Sequence, residues 1–374
     1  MMWLHVLLGG IALFWLGALL RVVRSRADTR FRLGVDAPVI DALPRLAVIV
    51  PARDEARNIG ACVASVLGSD HPRVELLVFD DGSSDGTADI ARAAGARVVE
   101  GGAAPLPEGW MGKPWALKRA ASETDADWIC FVDADVRLHP GALSRVHSYA
   151  VREDCHLLSG FGKLVMGSFW EKVIQPSVGG LIIAGNDLAV VNDPERPDKA
   201  IANGQLILVQ RGAYEGVGGH EAVRDNILDY IGLALAIAGK GFRARCLFMR
   251  ELFSCRMYTG LAELWRGWTK NLFPGMRYRL DAVALVVGMV LVEFIAPYVI
   301  FLFALSAGDV ALVASAAAVL VLVHGVRAYM DGIFEQERAY GLLQPLGALV
   351  LLGLLLDSVR RTRAGTREWK GRIY

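Results

Sequence analysis

Apolar positions along the 374-residue chain follow two regimes. At the two ends they form long unbroken runs, and in the middle short bursts separated by helical patterns. Residues 2–20 (MWLHVLLGGIALFWLGALL) contain no Asp, Glu, Lys or Arg, and a helix of about 20 such residues crosses the hydrocarbon layer of a bilayer. The runs 282–305 and 310–326 predict two more spans, joined by a turn at Gly308-Asp309. A further run, 341–356, is about one turn short of a span and contains Gln344-Pro345.

Arg21, Arg24 and Arg26 follow the first run, which by the positive-inside rule places the downstream domain in the cytoplasm. A cleaved signal peptide fits less well, because no basic residue precedes the run and no small-x-small site ends it. Residues 357–374 carry six basic and two acidic residues. Were all three C-terminal runs to cross, this tail would lie outside, against the same rule. The run 341–356 is therefore expected to be re-entrant or interfacial, with the tail cytoplasmic. The expected organisation is an anchor at 1–26, an α/β domain at 38–275, a membrane domain at 281–358 and a basic tail at 359–374. The chain would be a multi-pass protein of a bacterial-type cytoplasmic membrane.

Between the membrane segments, 46–50 (LAVIV), 74–79 (VELLVF) and 128–132 (WICFV) have the look of short buried strands, with a weaker one near 97–99. Helices are predicted over 55–67, 85–94, 114–122 and 141–151. This alternation implies a Rossmann-like, mostly parallel sheet with right-handed crossovers. Ligands of such sheets bind beyond the carboxyl ends of the strands. Here the strands run into Pro51-Ala52-Arg53-Asp54-Glu55, Asp80-Asp81-Gly82-Ser83-Ser84-Asp85 and Asp133-Ala134-Asp135. One such cluster is ordinary turn chemistry; three on one edge predict a site. No GxGxxG follows the first strand, and Gly112-Lys113 precedes Pro114 rather than Ser or Thr, so neither a dinucleotide fingerprint nor a P-loop is present. Phosphate charge would then fall to a metal and to side chains.

Composition changes this picture little. Hydrophobic residues make up 54% and mean hydropathy is +0.38, the excess lying at the ends. A formal net charge of +1 leaves no global basic field for nucleic acid. Cys62, Cys130, Cys155, Cys246 and Cys255 lack disulfide-framework or metal-site spacing and fit a reducing compartment.

The ordered pieces PARDE, DDGSSDGTA, GWMGKPWALK, FVDADV, NGQLILVQRGAYEGVGGH and the terminal WKGRIY resemble the family 2 glycosyltransferases with a GT-A fold. They cover 46 to about 275 plus the tail. The branch this chain looks closest to includes bacterial enzymes that glycosylate hopanoids and carotenoids, with ceramide glucosyltransferases more distant. The resemblance implies inverting transfer from a nucleotide-sugar, UDP-linked for preference, to a membrane lipid hydroxyl, with Mg2+ or Mn2+. It also implies Asp135 as direct metal ligand, with Asp133 facing the ribose.

The residue chemistry agrees with that expectation. Side chains two apart at a strand end point to one side, so Asp133 and Asp135 can reach one hard cation bridging to a diphosphate. Pro51, Arg53, Glu55, Asp80 and Asp81 would hold the nucleoside, since a carboxylate can accept a uracil imide N–H; Asp85 also suits a helix N-cap. Lys113 would face the diphosphate, or be a solvated lysine, and Trp110 and Trp115 would stack on a sugar or simply pack.

In the resembling family the general base is the Asp of a Glu-Asp pair, some ten residues after a Gly-Gly. Gly218-Gly219 is present, but the alignment puts Asp229 on that Glu and Tyr230 on that Asp. With a pKa near 10, tyrosine is a poor base. Asp229 is therefore the expected base, reached by a one-residue register difference, with Asp225 next; four apart, the two would share one helix face. The stretch 254–271 resembles a Gln/Arg-x-x-Arg-Trp motif with Trp268 present and Gly267 in place of the second arginine. Arg256, Arg266 and Lys270 would pin the diphosphate or the acceptor entrance, or meet lipid headgroups; Arg367, Lys370 and Arg372 invite the same pair of readings. Residues 164–191 suit an interfacial helix near the acceptor or a buried core segment. Glu293 is an intramembrane acid, functional or paired with His324. The alternatives are transfer to polyprenyl phosphate, an acceptor with no proton to remove, and a non-catalytic nucleotide-binding membrane scaffold.

Overall fold

The computed structural model describes residues 1–102, 106–366, 368–370 and 372–373. The apolar N-terminal run is a single helix, α1 (Met2–Ala27). The α/β region follows with β1 (Leu46–Ala52), α2 (Ile59–Leu67), β2 (Val74–Asp80), α3 (Thr87–Ala93), β3 (Arg97–Glu100), α4 (Gly112–Ala121), β4 (Trp128–Val132), β5 (Val136–Leu138) and α5 (Ala142–Arg152). Next come β6 (Leu157–Phe161), β7 (Lys163–Leu164), α6 (Phe169–Gly185), α7 (Leu188–Val191), β8 (Leu206–Gln210), α8 (Arg211–Gly216), α9 (Asp229–Gly239), β9 (Ala244–Phe248), β10 (Phe253–Cys255) and α10 (Leu261–Gly275). The chain closes with α11 (Leu280–Val290), α12 (Ala296–Ala307), α13 (Val310–Ile333), α14 (Gln344–Arg363) and the hairpin strands β11 (Glu368–Trp369) and β12 (Arg372–Ile373).

Period-two patterning builds the main sheet. Leu46, Val48 and Val50 of β1 pack on one side against Ile59, Cys62 and Val63 of α2. Ile49 turns to the other side, against Leu117 and Ala120 of α4. The strand order is β3-β2-β1-β4-β8-β6-β9. Strands β3, β2, β1 and β4 are parallel, and β8 alone runs against its neighbours β4 and β6. All three predicted acidic clusters therefore leave the sheet on one edge. A smaller sheet, β5-β10-β7, lies beyond the end of β4.

Among the described residues, four stretches are long and apolar enough to cross a membrane: Met2–Arg24, Leu280–Ala307, Val310–Ile333 and Arg338–Arg363. The second is continuous through a π-helical turn, Leu291–Ile295, between α11 and α12. Helices α1, α12 and α13 share one core, with Leu8, Ile11 and Trp15 against Ala304, Ala316 and Val323. Helices α6, α10 and α14 share another, through Ile174, Val178, Leu264, Trp268 and Leu354.

Two length expectations need correction. The predicted run 310–326 continues to Ile333 because Arg327 and Asp331 pair one turn apart at 2.8 Å inside the protein, with Gln344 on the same guanidinium. The run 341–356, taken as too short for a span, belongs to an apolar stretch ending at Arg363. Asp357 prolongs α14 by pairing with Arg360 and Arg361. A third correction concerns Glu293. His324 lies against the Tyr298 hydroxyl at 2.9 Å and the Gly341 carbonyl at 3.1 Å, not against Glu293.

Candidate functional site

Strand β1 delivers the loop 53–58. The Arg53 guanidinium donates to the Asp81 carbonyl at 2.6 Å and lies 3.7 Å from the Asp81 carboxylate. Asp54 adopts φ +49°, in the left-handed region. It accepts from the Ser84 backbone at 2.9 Å, while its own N–H donates to the Ser83 hydroxyl at 2.9 Å. The β1 and β2 loops are thereby stitched together. At the end of β2, Asp80 and Asp81 are buried; one Asp80 oxygen accepts from the Ser83 N–H, and the other, Oδ1, meets no donor. Pro51 precedes this loop within β1. Asp85 serves the turn, accepting from the Ala56 and Thr87 N–H groups; the N-cap of α3 is Gly86, so the N-cap expected at Asp85 falls one residue later.

The chain turns sharply after β4, where the Val136 N–H donates to the Asp133 carbonyl at 3.1 Å. Asp133 Oδ1 receives the Lys113 ammonium at 2.6 Å. Burial pulls that ammonium down, but Asp133 and then Asp229 outweigh it and hold Lys113 above the ordinary lysine value. Asp135 is different. Burial first, then the Asp133 and Glu55 charges, push it up to about 7, and its Oδ1 is buried without a hydrogen-bond donor. The neighbouring Cys255 thiol pulls against that rise, and its own pKa is raised by burial first and then by Asp135.

Asp229 opens α9 and is 3% exposed. Burial raises its pKa, while Lys113 and Lys270 pull against that rise. Its carboxylate sits 3.8 Å from His220 Nε2. The His220 ring, driven down to about 3 by burial and then by Lys113, is neutral, and its Nδ1 lies 2.8 Å from the Tyr214 hydroxyl. The Gly218-Gly219 pair makes this possible. Both have positive φ, and a Cβ on Gly219 would come within 2.6 Å of the Tyr214 ring.

Tyr230 follows in the same helix, half-buried, its ring against Gly204. Burial and then Asp229 raise its phenol above the usual value, so it stays protonated. From α10, Lys270 reaches the same centre. Burial, then Lys113, lower it to about 8 against the pull of Asp229 and Asp133. The expected constellation of Asp133, Asp135, Lys113, Asp229 and Lys270 is thus brought together, as are Glu55, Asp80 and Asp81 beside it.

Two expected residues fall elsewhere. Asp225 is exposed in the loop before α9, which begins only at Asp229, so the two acids do not share a helix face. Arg266 is exposed on α10. Arg256 clamps buried Glu171 at 3.0 Å, closing a capping box with Ser168 at the start of α6. The start of α6 is thus tied to Arg256, whose own N–H donates to the Asp135 carbonyl at 3.5 Å. Trp110 and Trp115 pack edge to face, 5.0 Å apart. Arg367 lies outside the described residues.

The sequence reading missed Tyr258, Cys255 and His220. Tyr258 fills the space beside Gly267, where a Cβ would come within 2.1 Å of its hydroxyl. That contact explains why α10 carries glycine at the place of the motif's second arginine. The signal available was the Gly267 departure itself.

Among the described residues, no group of three or more His, Cys, Asp or Glu is arranged to hold a metal by itself. The Asp135 oxygen without a donor, next to Asp133, is nonetheless the kind of acceptor a hard cation takes. The pair fits a cation that completes its shell with ligand oxygens and water.

Residues 47–185 match the family model for Glycosyl transferase family 2. The 4,4'-diaponeurosporenoate glycosyltransferase of Staphylococcus aureus (strain USA300) is 29% identical over 234 residues, covering 62% of this chain and 61% of that protein; the strain MRSA252 protein matches to the same extent. Among solved structures, a mannosyltransferase from Pyrobaculum calidifontis in complex with GDP-Man and Mn2+ aligns with 92% of this chain and 99% of its own, at 19% identity and a TM-score of 0.54. That likeness concerns the fold, a mostly parallel GT-A sheet with apolar helices.

Proposed function

We propose that this chain, which carries a Glycosyl transferase family 2 domain over residues 47–185, is a membrane glycosyltransferase moving one sugar, with inversion, from a nucleotide-sugar to a lipid hydroxyl. The observation that carries the reading is the meeting of Asp133, Asp135, Lys113, Asp229 and Lys270 at one sheet edge, on the side where α6, α10 and α14 join the apolar helices. The lipid class is supported by the carotenoid glycosyltransferase relative, and the nucleotide donor by the GDP-Man complex of the structural neighbour.

Arg53, Glu55, Asp80 and Asp81 hold the nucleoside. Lys113 and Lys270 face the diphosphate. Asp229 accepts the acceptor hydroxyl's proton while that oxygen bonds the anomeric carbon from the face opposite the diphosphate. The bond to the diphosphate breaks, and its electron pair leaves on the phosphate oxygen. Burial that raises the Asp229 pKa strengthens it as a base, and its place at the first turn of α9 keeps the ionised form accessible. Mg2+ or Mn2+, held by Asp135 and Asp133, would supply neutralisation of charge on the departing diphosphate.

A second reading, transfer to polyprenyl phosphate, rests on Tyr230, a protonated phenol where the resembling family has its base. Asp229→Asn separates the two, since an acceptor that is already anionic needs no proton removed. The test of the function itself is transfer of labelled sugar to extracted lipids by the purified protein with Mn2+.

For the membrane we infer crossings by α1, by α11–α12 and by α13, with α14 lying along the cytoplasmic interface and the tail beside the catalytic domain. Two observations bear on this. Helix α14 packs on α6 and α10, in a core that also takes Val283 and Val290 of α11, and Lys370 of the tail touches Glu55 in the site, which carries the placement of the tail. On this reading 1–26 is the anchor, 38–275 the catalytic domain, 281–358 the membrane domain and 359–374 the tail, with α14 running across the last boundary to Arg363.

A further inference from the structure

Lys370 is far in sequence from everything it touches. It occupies the turn between β11 and β12 at φ +47°, in the left-handed region that turns of this kind need. Its ammonium donates to the Asp54 carbonyl at 3.0 Å and to Glu55 Oε1 at 2.9 Å. Its own carbonyl accepts from Arg53 Nε at 3.2 Å. Three successive residues of the β1–α2 loop are therefore engaged by one residue of the tail.

The engagement passes further into the site. Asp54 in turn holds Ser83 and Ser84 of the β2–α3 loop. Arg53 holds Asp81, and Glu55 accepts at its other oxygen from the Asn58 amide at 2.9 Å. The tail, the first loop and the second loop thus form one hydrogen-bonded unit around the place assigned to the nucleoside. Lys370 also bears electrostatically on Lys270, as Lys113 does. Three lysines, from α4, α10 and the tail, face one small region.

We propose that Lys370 is a donor-site positioning residue: it clasps the carboxyl-terminal hairpin onto the Arg53–Glu55 loop and brings a third lysine to the region of the donor diphosphate. This rests on the nucleotide-sugar reading above. Packing alone would favour an apolar residue here. The ammonium instead makes charge-assisted bonds to a loop carbonyl and a carboxylate, and these set loop geometry rather than fill a core.

The test is Lys370→Met in the full-length protein in detergent or nanodiscs, compared with Lys370→Arg and with a chain ending at Thr366. Lys370→Met is expected to raise the donor KM about ten-fold while kcat and the acceptor KM stay within about two-fold, the split that marks lost donor binding. Lys370→Arg should recover most of the loss, and the shortened chain should match Lys370→Met. Thermal protection by UDP and by GDP gives a readout independent of turnover: protection by whichever nucleotide stabilises the parent chain should weaken in Lys370→Met and in the shortened chain. A donor KM within two-fold of the parent, with unchanged nucleotide protection, overturns the inference. Should Lys370→Met fail to fold, the shortened chain decides by the same two measurements. If the parent chain shows nucleotide protection but transfers no sugar, the glycosyltransferase reading fails while the role of Lys370 in nucleotide binding is still measured.

Discussion

Asp229 is pulled two ways, and the balance decides its chemistry. Burial favours its neutral form, whereas Lys113, Lys270 and the α9 N-terminus favour the carboxylate. A base must be ionised, so transfer should fall as pH drops through a midpoint above the ordinary aspartate value. Asp229→Asn should lower kcat by about 10²–10⁴, with donor binding little changed, and Tyr230→Phe should be mild. Kinetics of both variants check the assignment. A crippled Tyr230→Phe beside a healthy Asp229→Asn would transfer the role to the tyrosine and favour an anionic acceptor. Asp135→Ala should cost more than about ten-fold in kcat, or about 1.4 kcal/mol, with the fold intact by circular dichroism. These acids were legible because each ends a strand or follows a glycine pair. His220 and Cys255 were not, since a lone histidine or cysteine gives no sign of which carboxylate it will face.

At the scale of elements, α6 shows how a polar cap is built beside apolar helices. Glu171 is buried, and the Arg256 guanidinium, the Gly167 N–H and Ser168 overcome that burial to hold its pKa down at about 2. A carboxylate depressed in the folded state contributes stability that is complete above the unfolded value and is lost as pH falls from about 4.5 towards 2. Glu171→Gln should therefore destabilise the purified protein at pH 7 by about 1–3 kcal/mol and flatten its acid-side loss, as read by thermal melts from pH 6 to pH 3. Helix α10 makes a steric prediction. Gly267→Arg, which restores the motif's arginine, should displace Tyr258 and reduce transfer rather than improve it, because even a Cβ meets that ring. Helices α2 to α5 were legible from periodicity, whereas α7, α8 and α10 were not. The true lengths of α13 and α14 were not, because Arg327–Asp331 and Asp357–Arg361 pair internally and so continue helices that charge counting would end.

For the whole molecule, the contact between the tail and the β1–α2 loop constrains how the chain threads the membrane. If Lys370 meets Glu55, residues 280–366 must cross an even number of times, although three of the four long apolar stretches lie there. Reporters fused after Arg32 and after Tyr374 should therefore both be active on the cytoplasmic side; opposite sides would place α14 across the bilayer and dissolve the clasp. The sequence suggested this arrangement through charge alone; the contact of Lys370 with Glu55 is what the structure adds to it. Lipid glycosylation underlies all of these expectations. Its most direct test is purified full-length protein in lipid nanodiscs with Mn2+ and radiolabelled UDP-sugars and GDP-mannose, followed by extraction and mass spectrometry of the lipids. Label is expected in one lipid product whose mass exceeds its acceptor's by a single sugar, absent with Asp135→Ala. Donor binding with no sugar on any lipid, across all donors offered, would contradict it and leave a nucleotide-binding scaffold.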